Sequence, residues 1–418
     1  MKEPESPLGH IHRWRFPAAL LWTLISLIGI WFTANVGYSR LIARYAAVTG
    51  NVAAAMKAVE SAPLDANSHR VRASVLYNAG EVSEAARELE LAVSLRPRDD
   101  YLWLQLGIIR DELKQPEALL AFNESVRLAP YYSHPQWQRG NFVLRSGRYD
   151  EAFNDLRRAA ASNQTLVPSL IDLAWGVSRE SPELTQQWAG ITDDSMRIAF
   201  ARFLTRKGKA RDALEQFRAC KVVSYQARRE LLREMIEANA FHEAYEIWQG
   251  IDGPDEGSVH DGDFEESQGF DDTGFGWRFS PVSQGARFSL DSNQPQAGAQ
   301  SLLVNFSGYS DPATVLLSQF VLLEPSKRYR VSFGARTKGM VTGGLPLIAI
   351  NDAKSEMKRL GESIGIENAS WQTLSFEFQT ERNTEAVSLS LQRKQCSSAP
   401  CPIFGSLWLD NFAIEELR

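Results

Sequence analysis

The chain has 418 residues, of which 44% are hydrophobic and 23% charged, with three cysteines and a formal net charge of −6. This length predicts two or three domains. The composition excludes a disordered chain, a collagen-like chain and a disulfide-rich miniprotein. The mild acidity argues against a dedicated nucleic-acid-binding protein, which would carry a basic excess.

The first predicted element is an apolar helix. After a short tail at residues 1–15, residues 16–39 contain no charged side chain. About 20 helical residues cross roughly 30 Å of hydrocarbon, so we predict a single transmembrane helix at 16–39. A cleaved signal peptide and a buried core helix are the alternatives. Arginines flank the run on both sides, and their count barely favours a cytoplasmic N-terminus.

A repeat follows over residues 41–250. Ala85, Ala118 and Ala152 are separated by 33 and 34 residues, and each begins an amphipathic stretch. Small residues at this spacing let paired helices approach closely, while the larger residue four positions on fills the groove between them. The pattern predicts a solenoid of helical hairpins.

The repeat resembles the tetratricopeptide repeat (TPR). The residues that carry the resemblance are Trp103, Leu106, Gly107, Ala118, Phe122 and Pro130. Three repeats cover about residues 66–164, with degenerate units on both sides and a departure from the period at 165–200. The resemblance implies a concave groove for an extended peptide or helix of a partner protein.

Twelve first-helix positions would line this groove. They are Asn67, Arg70, Ser74, Asn78, Tyr101, Leu104, Ile108, Glu112, His134, Trp137, Asn141 and Arg145. Trp137 is the best single candidate, because a groove-facing tryptophan is large and costly to expose. For each position the alternative is an ordinary solvent-facing or packing role, since few interface residues carry binding energy.

The pattern changes after residue 250. Residues 251–257 are predicted to form a linker. Residues 258–418 show short runs of alternating apolar and polar residues, separated by segments rich in turn-forming residues. This predicts an antiparallel β-sandwich. The fold class is therefore multidomain α plus β: one N-terminal transmembrane helix, a TPR-like α-helical solenoid and a C-terminal sandwich.

The β region resembles a carbohydrate-binding-module jelly roll of the galactose-binding-like type. The resemblance is carried by the stretches at 262–265, 276–277, 329–336 and 405–412, with Trp371 between them. It implies two sites. Asp263, Glu265 and Asp410 are oxygen donors for a structural Ca²⁺, with solvated or hydrogen-bonded carboxylates as the alternative.

The second implied site binds glycan. Phe275, Trp277 and Tyr309 lie in predicted loops or strand ends and offer aromatic faces to a sugar. Trp371 and Trp408 lie on strand patterns, which places them in the predicted core. Aromatic residues of a sandwich are more often core than ligand platform.

Cysteine placement bears on the compartment. Cys396 and Cys401 bracket a four-residue loop that a disulfide could close, and an oxidised pair is typical of the periplasm or the cell exterior. Cys220 stands alone in a helical stretch, where it is predicted to be a small buried hydrophobic residue.

The sequence contains none of the common catalytic motifs for a nucleophilic serine, a zinc protease, a P-loop or a dinucleotide fold. We therefore predict a non-enzymatic scaffold, anchored in the bacterial inner membrane with its C-terminal domains in the periplasm. Its expected partners are a protein at the groove, such as an integral-membrane polysaccharide polymerase or ligase, and glycan at the sandwich. A pure protein-interaction scaffold with a structural sandwich is the alternative, and a hydrolase is a weaker one.

Overall fold

The computed structural model describes residues 11–249, 259–266, 273–279, 285–308, 311–397 and 400–418. The linker predicted at 251–257 and the first ten residues lie outside the described residues. The chain divides into two compact units, Met1–Gly190 and Ile191–Arg418. Helices followed by two antiparallel sheets confirm the predicted fold class.

The first unit is built of helices in antiparallel pairs. They are α1 (Ile11–Thr49), α2 (Val52–Ser61), α3 (Ala66–Asn78), α4 (Val82–Leu95), α5 (Asp100–Glu112), α6 (Ala118–Leu128), α7 (Ser133–Arg145), α8 (Tyr149–Ser162), α9 (Val167–Val177) and α10 (Pro182–Ala189). A single 3-10 turn, Gln164–Leu166, interrupts the series before α9, and α10 has only eight residues. The period therefore fails in the stretch where the sequence departs from the repeat.

Close helix contact explains two glycine positions that recur in the repeat pattern. A Cβ on Gly107 would lie 2.7 Å from a ring carbon of Phe122, and one on Gly140 would lie 2.8 Å from Leu156 Cγ. Both partner side chains are fully buried. Glycine at these positions lets α5 pack on α6, and α7 on α8, at a distance that alanine would prevent.

Helix α1 runs without a break from the apolar segment into the first hairpin. It has 39 residues, which corresponds to roughly 58 Å. Near its end Ser39, Ala43 and Ala46 are fully buried against the next helices, and Ser39 Oγ donates a hydrogen bond to the carbonyl of Ala58 at 2.6 Å. The same helix is thus both the apolar segment and the first helix of the repeat array.

The apolar part of α1 has no protein cover. Leu20–Thr49 is long and apolar enough to cross a membrane, and none of its most apolar 18-residue window is buried. This excludes the alternative of a buried core helix for the described residues. Length and composition alone do not separate a membrane anchor from a signal sequence.

The second unit combines four helices with the sandwich. The helices are α11 (Asp194–Arg206), α12 (Ala210–Arg218), α13 (Tyr225–Glu237) and α14 (Phe241–Gln249). The strands are β1 (Arg278–Phe279), β2 (Ala286–Asp291), β3 (Ser301–Gly308), β4 (Leu317–Leu322), β5 (Arg328–Thr342), β6 (Pro346–Asp352), β7 (Ser355–Glu362), β8 (Gln372–Gln379), β9 (Ala386–Arg393) and β10 (Ile403–Leu417).

The strands form two five-stranded antiparallel sheets. Sheet I has the order β1-β4-β9-β6-β7, and sheet II has the order β2-β3-β10-β5-β8. Their inner faces enclose one apolar core that includes Val304, Phe333 and Leu409. The period-two alternation seen in the sequence places these side chains inward and their chain neighbours outward.

The outer face of sheet I contacts α14. Phe320 of β4 pairs with Ser388 of β9 on that face, and its ring centroid lies 5.7 Å from that of Phe241. Phe241 is 1% exposed and Phe320 6% exposed. This apolar contact explains why the last four helices group with the sandwich rather than with the preceding repeats.

Candidate functional site

The predicted groove positions lie on α3, α5 and α7, the first helices of three successive hairpins. Eleven of the twelve side chains are at least partly accessible. Leu104 is the exception, since it is 1% exposed and packs with Ala118 and Phe122. Its assignment to the groove is wrong, because its side chain fills the space inside the α5–α6 hairpin.

A cavity of about 140 Å³ opens between α3 and α5. It is lined by Arg70, Ala73, Ser74, Tyr77, Leu89, Gln105, Ile108 and Ile109. Three of these, Arg70, Ser74 and Ile108, were predicted from the repeat register. The structure therefore gathers part of the predicted set around one concavity.

Polar groups border this groove cavity. The Tyr77 hydroxyl donates to Glu112 Oε2 at 2.7 Å, linking α3 to α5, and this hydrogen bond raises the pKa of Tyr77. Arg70 donates to Asn67 Oδ1 at 3.0 Å. The buried Oε1 of Gln105 has no hydrogen-bond partner in the part of the chain that the structure describes.

Sequence reasoning missed Tyr77 and Gln105. Tyr77 lies three residues after Ser74 and shares its helix face, so a face-by-face reading of α3 would have included it. Gln105 adjoins the wrongly assigned Leu104, one position away on α5. Its role depends on the neighbouring helix and has no signal in the sequence.

The α7 positions border the groove further along the chain. Trp137 is half-buried, and its carbonyl accepts a hydrogen bond from Asn141 Nδ2 at 2.8 Å. Arg145 forms an ion pair with Asp111 of α5. His134 Nε2 lies 3.3 Å from Gln138 Nε2. These contacts fix the edge of the groove but leave part of the Trp137 ring accessible.

Two predicted glycan-binding aromatics are buried. Phe275 is 2% exposed, with its ring centroid 5.0 Å from that of Tyr245 on α14. Trp277 is 4% exposed, packs 5.3 Å from Phe264, and donates its indole N–H to the Asp261 carbonyl at 2.9 Å. Both predictions are wrong, because Phe275 is buried against α14 and Phe320, and Trp277 belongs to the core between the sheets. The third residue, Tyr309, lies outside the described residues.

Trp408 was expected in the core but lies on the outer face of sheet II. Its neighbours Leu407 and Leu409 belong to the core, so the alternation of β10 turns Trp408 outward. Its indole N–H donates to Asp291 Oδ2 at 2.7 Å. The Arg336 guanidinium carbon lies 4.9 Å from the Trp408 ring centroid. The indole is 9% exposed beneath this cover.

Polar groups surround this indole. Arg336 Nη1 donates to Gln294 Oε1 at 3.1 Å, and Trp371 donates its indole N–H to the Gln294 carbonyl at 2.9 Å. Charged and amide groups thus enclose the indole of Trp408 on the outer face of sheet II. In the sequence, an apolar residue on each side of Trp408 indicates this orientation. Once those two residues are known to lie in the core, strand alternation turns the Trp408 side chain outward.

The predicted calcium ligands have other roles. Asp410 is fully buried, and its Oδ2 accepts the Gln296 amide at 3.0 Å while its Oδ1 accepts the Asn411 amide at 2.8 Å. Burial raises the pKa of Asp410. Glu265 Oε1 accepts the Ala299 amide at 2.7 Å. Backbone N–H groups thus bind both Asp410 and Glu265.

Asp263 is exposed and adds no third ligand. Among the described residues, no three His, Cys, Asp or Glu side chains gather as a metal site would require. A structural Ca²⁺, which takes six to eight oxygen ligands, stays a prediction for this part of the sandwich.

The cysteine pair is joined at one end of the sandwich. Cys396 and Cys401 form a disulfide, with their Cα atoms 5.7 Å apart. Arg393, 4% exposed, donates to the Cys401 carbonyl at 3.0 Å and to Thr342 Oγ1 at 3.1 Å. Burial lowers the pKa of Arg393. Cys220 is free and half-buried, and burial raises the pKa of its thiol.

Comparison with known proteins adds information on the fold. No family model matches the chain, and no curated protein matches it in sequence. A solved structure described as "CBM4 structure and function" is 15% identical with a TM-score of 0.30, covering 38% of this chain and 99% of its own. One described as "Crystal structure of MamA" is 12% identical with a TM-score of 0.28, covering 45% and 86%.

A third solved structure, "MamA 41-end from Desulfovibrio magneticus RS-1", is 14% identical with a TM-score of 0.30, covering 44% of this chain and 92% of its own. At these identities and TM-scores, the likenesses carry no inference about ligand or partner.

Proposed function

We propose that the chain is a non-enzymatic, membrane-anchored scaffold whose groove binds a segment of a partner protein. The anchor is supported by the exposure of its apolar side chains: Trp22 is 69% exposed, Leu27 63% and Trp31 68%. Hydrocarbon accepts such a surface, whereas water does not. Retention of an N-terminal tag on the mature, membrane-bound chain would distinguish the anchor from a cleaved signal sequence.

The cavity between α3 and α5 carries the partner-binding part of the proposal. Leu89, Ile108 and Ile109 give it an apolar lining, and Arg70, Ser74 and Gln105 add polar groups. The expected ligand is therefore an extended or helical peptide segment that inserts one apolar side chain into the cavity.

Photo-crosslinking in intact cells tests the groove. A benzophenone amino acid at Ser74 is expected to give discrete protein adducts, and Ile108→Glu is expected to abolish them by filling and charging the cavity. The matched control is the same probe at Leu120, which is 64% exposed on a second helix. Equal adducts from both positions, or adducts that persist in Ile108→Glu, would refute the groove.

We further propose that the outer face of sheet II around Trp408 binds glycan. The supporting observation is the indole bordered by Arg336 and Asp291, since a sugar ring stacks on an aromatic face while its hydroxyls bond to charged edges. Binding requires the Arg336 guanidinium to move aside or to share the ring face. This movement would break the hydrogen bond from Arg336 to Gln294.

Glycan arrays and polysaccharide pull-downs with the full chain in detergent test this part. Retention of a polysaccharide that is lost in Trp408→Leu and kept in Val341→Ser is the expected result. Val341 is a suitable control because it is 67% exposed on β5 of the same sheet. Failure to retain any glycan would remove the sugar-binding part and leave the groove proposal intact.

A second candidate is a purely structural sandwich. The aromatic contact between Phe241 and Phe320 favours it, because the sandwich then covers apolar surface at the end of the helical array. This role predicts that Trp408→Leu leaves every crosslinked partner unchanged. It also predicts that Phe320→Asp reduces the protection of α14 from hydrogen exchange.

We place the proposed scaffold in the bacterial inner membrane with both units in the periplasm, in exopolysaccharide, O-antigen or cell-envelope assembly. The support is the disulfide between Cys396 and Cys401, since oxidised pairs persist outside the cytoplasm. A partner such as an integral-membrane polysaccharide polymerase or ligase suits this setting. A C-terminal reporter active only in the cytoplasm would overturn the placement.

A further inference from the structure

The loop between α2 and α3 forms a second cavity against the apolar helix. This juxtamembrane cavity has a volume of about 370 Å³. Its α1 wall consists of Trp31, Phe32, Asn35, Val36 and Arg40, and its loop wall consists of Ser61, Ala62, Pro63, Leu64 and Asp65.

The cavity continues a packing face of α1. Phe32, Val36, Ser39, Ala43 and Ala46 recur every three or four residues, so they share one side of the helix. The last three are buried against α2 and α3, whereas Phe32 is 52% exposed. The protein thus covers this face of α1 from Ser39 onward. It leaves the preceding turns of the same face, which carry Phe32, exposed beside the α2–α3 loop.

The level of the cavity along α1 is fixed by the span. Residues 16–39 carry no charge, and about 20 of them fill the hydrocarbon, so Val36 lies near its edge and Arg40 among the headgroups. Asp65 is held to Arg40 at 3.3 Å, which places the adjoining Leu64 at that same level. Leu64 is nevertheless 70% exposed.

Cations stand beside the apolar lining. Arg40 and Arg96 both pair with Asp65, at 3.3 and 3.4 Å, and their side chains stay 54% and 47% exposed. Burial would raise the pKa of Asp65, but hydrogen bonds from Arg40 and Ser68 hold that pKa below its usual value. One carboxylate against two guanidinium groups leaves an excess positive charge, which complements a lipid phosphate.

We infer that this loop is a second membrane contact: Leu64 enters the bilayer interface, and a phospholipid occupies the cavity with its phosphate beside Arg40 and Arg96. The inference rests on the proposed membrane anchor. A single helix can swivel in a bilayer, but a helix and a loop inserted together fix the tilt of the first hairpin. The groove would then be presented at a defined height and direction above the membrane.

Depth-dependent fluorescence quenching tests the contact in the full chain. In a Cys220→Ser background the remaining cysteines are joined in the disulfide, so Leu64→Cys can be labelled singly with an environment-sensitive dye. The chain is reconstituted at low density in phosphatidylcholine–phosphatidylglycerol vesicles that contain lipids with a nitroxide near the headgroup, for Leu64 and Tyr131, or near the end of the acyl chain, for Ile28. Ile28→Cys and Tyr131→Cys, the latter at an 87% exposed position, serve as membrane and water controls.

The expected result is quenching at Leu64 and Ile28 but not at Tyr131. Quenching at Ile28 alone would overturn the inference and leave the anchor standing. No quenching at Ile28 would remove the anchor and the inference with it. Quenching at Leu64 that depends on protein density would show that a second copy, rather than lipid, fills the cavity.

Native mass spectrometry of the detergent-solubilised chain identifies the occupant. Phosphatidylglycerol is expected to stay bound to the wild type and to the matched control Tyr131→Asp. Leu64→Asp should weaken its retention about tenfold, through loss of one leucine's apolar contact. Diacylglycerol, which lacks the phosphate, should be retained less than phosphatidylglycerol. Equal retention by Leu64→Asp, or equal retention of both lipids, would contradict the assignment.

Discussion

The carboxylate of Asp155 accepts two hydrogen bonds of 2.6 Å from the guanidinium of Arg139, which joins α8 to α7 at the centre of a repeat. Asp155 is fully buried, and the Arg139 side chain is 18% exposed. Two parallel N–H bonds to one carboxylate are among the strongest contacts between charged side chains. The pair therefore fixes this hairpin beside the accessible ring of Trp137.

Removing one member of the pair should be costly. Asp155→Ala leaves a largely buried guanidinium without its anion, and we expect the free energy of unfolding to fall by about 2–4 kcal/mol. The double variant Arg139→Met with Asp155→Leu should recover much of this loss, since it replaces the ion pair by apolar contact. Calorimetry in detergent measures both, and a double variant as unstable as Asp155→Ala would contradict this account.

Two glycines should respond in opposite directions to alanine. At Gly107 the added methyl meets the Phe122 ring at 2.7 Å, so Gly107→Ala should cost about 1–3 kcal/mol through overpacking. At Gly176, within α9, nothing lies within 4 Å of the added atom. Gly176→Ala should therefore stabilise by about 0.5–1 kcal/mol through helix propensity. Thermal unfolding of both variants is the measurement, and a shift of the same sign in both would be inconsistent with the packing.

His69 should make the first unit more stable at acidic pH than at alkaline pH. Its Nδ1 lies 2.7 Å from Glu88 Oε2, and its Nε2 lies 2.9 Å from the Pro63 carbonyl. The hydrogen bond with Glu88, assisted by the Pro63 carbonyl, raises the pKa of His69 above 6.5. This stabilisation is fully present below the unfolded-state pKa and is lost as pH rises through the higher folded-state pKa.

The corresponding experiment is thermal unfolding of wild type and His69→Gln across about pH 5 to 9. The melting temperature of the wild type should fall as pH rises above about 6.5, and that of the variant should fall less. Exposed His134 provides the matched control, His134→Gln, which should keep the wild-type slope. Parallel curves for the wild type and His69→Gln would show that His69 does not titrate in this way.

Asp261 should likewise make the second unit less stable as pH rises, but over a lower pH range. Burial raises the pKa of Asp261 to about 6, the charges of Glu266 and Asp263 add to it, and a hydrogen bond from the Glu266 amide opposes it. A raised carboxyl pKa means that the folded state holds the proton more tightly than the unfolded state. Stability therefore falls as pH rises from about 4 to about 6, when the carboxyl ionises.

Asp261→Asn removes this ionisation and keeps an acceptor for the Glu266 amide, which lies 3.0 Å from Oδ1. Asparagine also tolerates the positive φ of 46° at this position. We expect the variant to melt above the wild type at pH 7 and close to it at about pH 4. A variant that is equally destabilised at both pH values would show that the carboxylate serves a structural bond instead.

Local sequence patterns determined the element types and the repeat. Alanine and glycine at a spacing of 33–34 residues predicted paired helices because only small side chains permit close approach. Alternating apolar residues predicted the strands because each strand has one face in the core. The Cys396–Cys401 disulfide could also be predicted from the sequence, since a four-residue loop places both thiols within reach of each other.

The direction of individual side chains depended on the tertiary structure. Leu104 fits the groove register, yet it fills its own hairpin, because its accessibility is set by Phe122 of the neighbouring helix. Phe275 and Trp277 lie in loop-like sequence, but aromatic surface there is buried by α14 and by the core. Trp408 is buried, as expected, but on the outer face of sheet II, because its apolar neighbours occupy the inner face.

The opening composition reflects three unlike segments: an uncharged helix, a helical region nearly balanced in charge, and an acidic β region. The sequence by itself determined these segments, since hydropathy, period and charge are properties of neighbouring residues. Only the tertiary structure decided that the apolar helix continues into the first hairpin, and that Arg40 of this helix pairs with Asp65 of the following loop. That contact joins residues 25 positions apart, and its geometry depends on packing that no local pattern encodes.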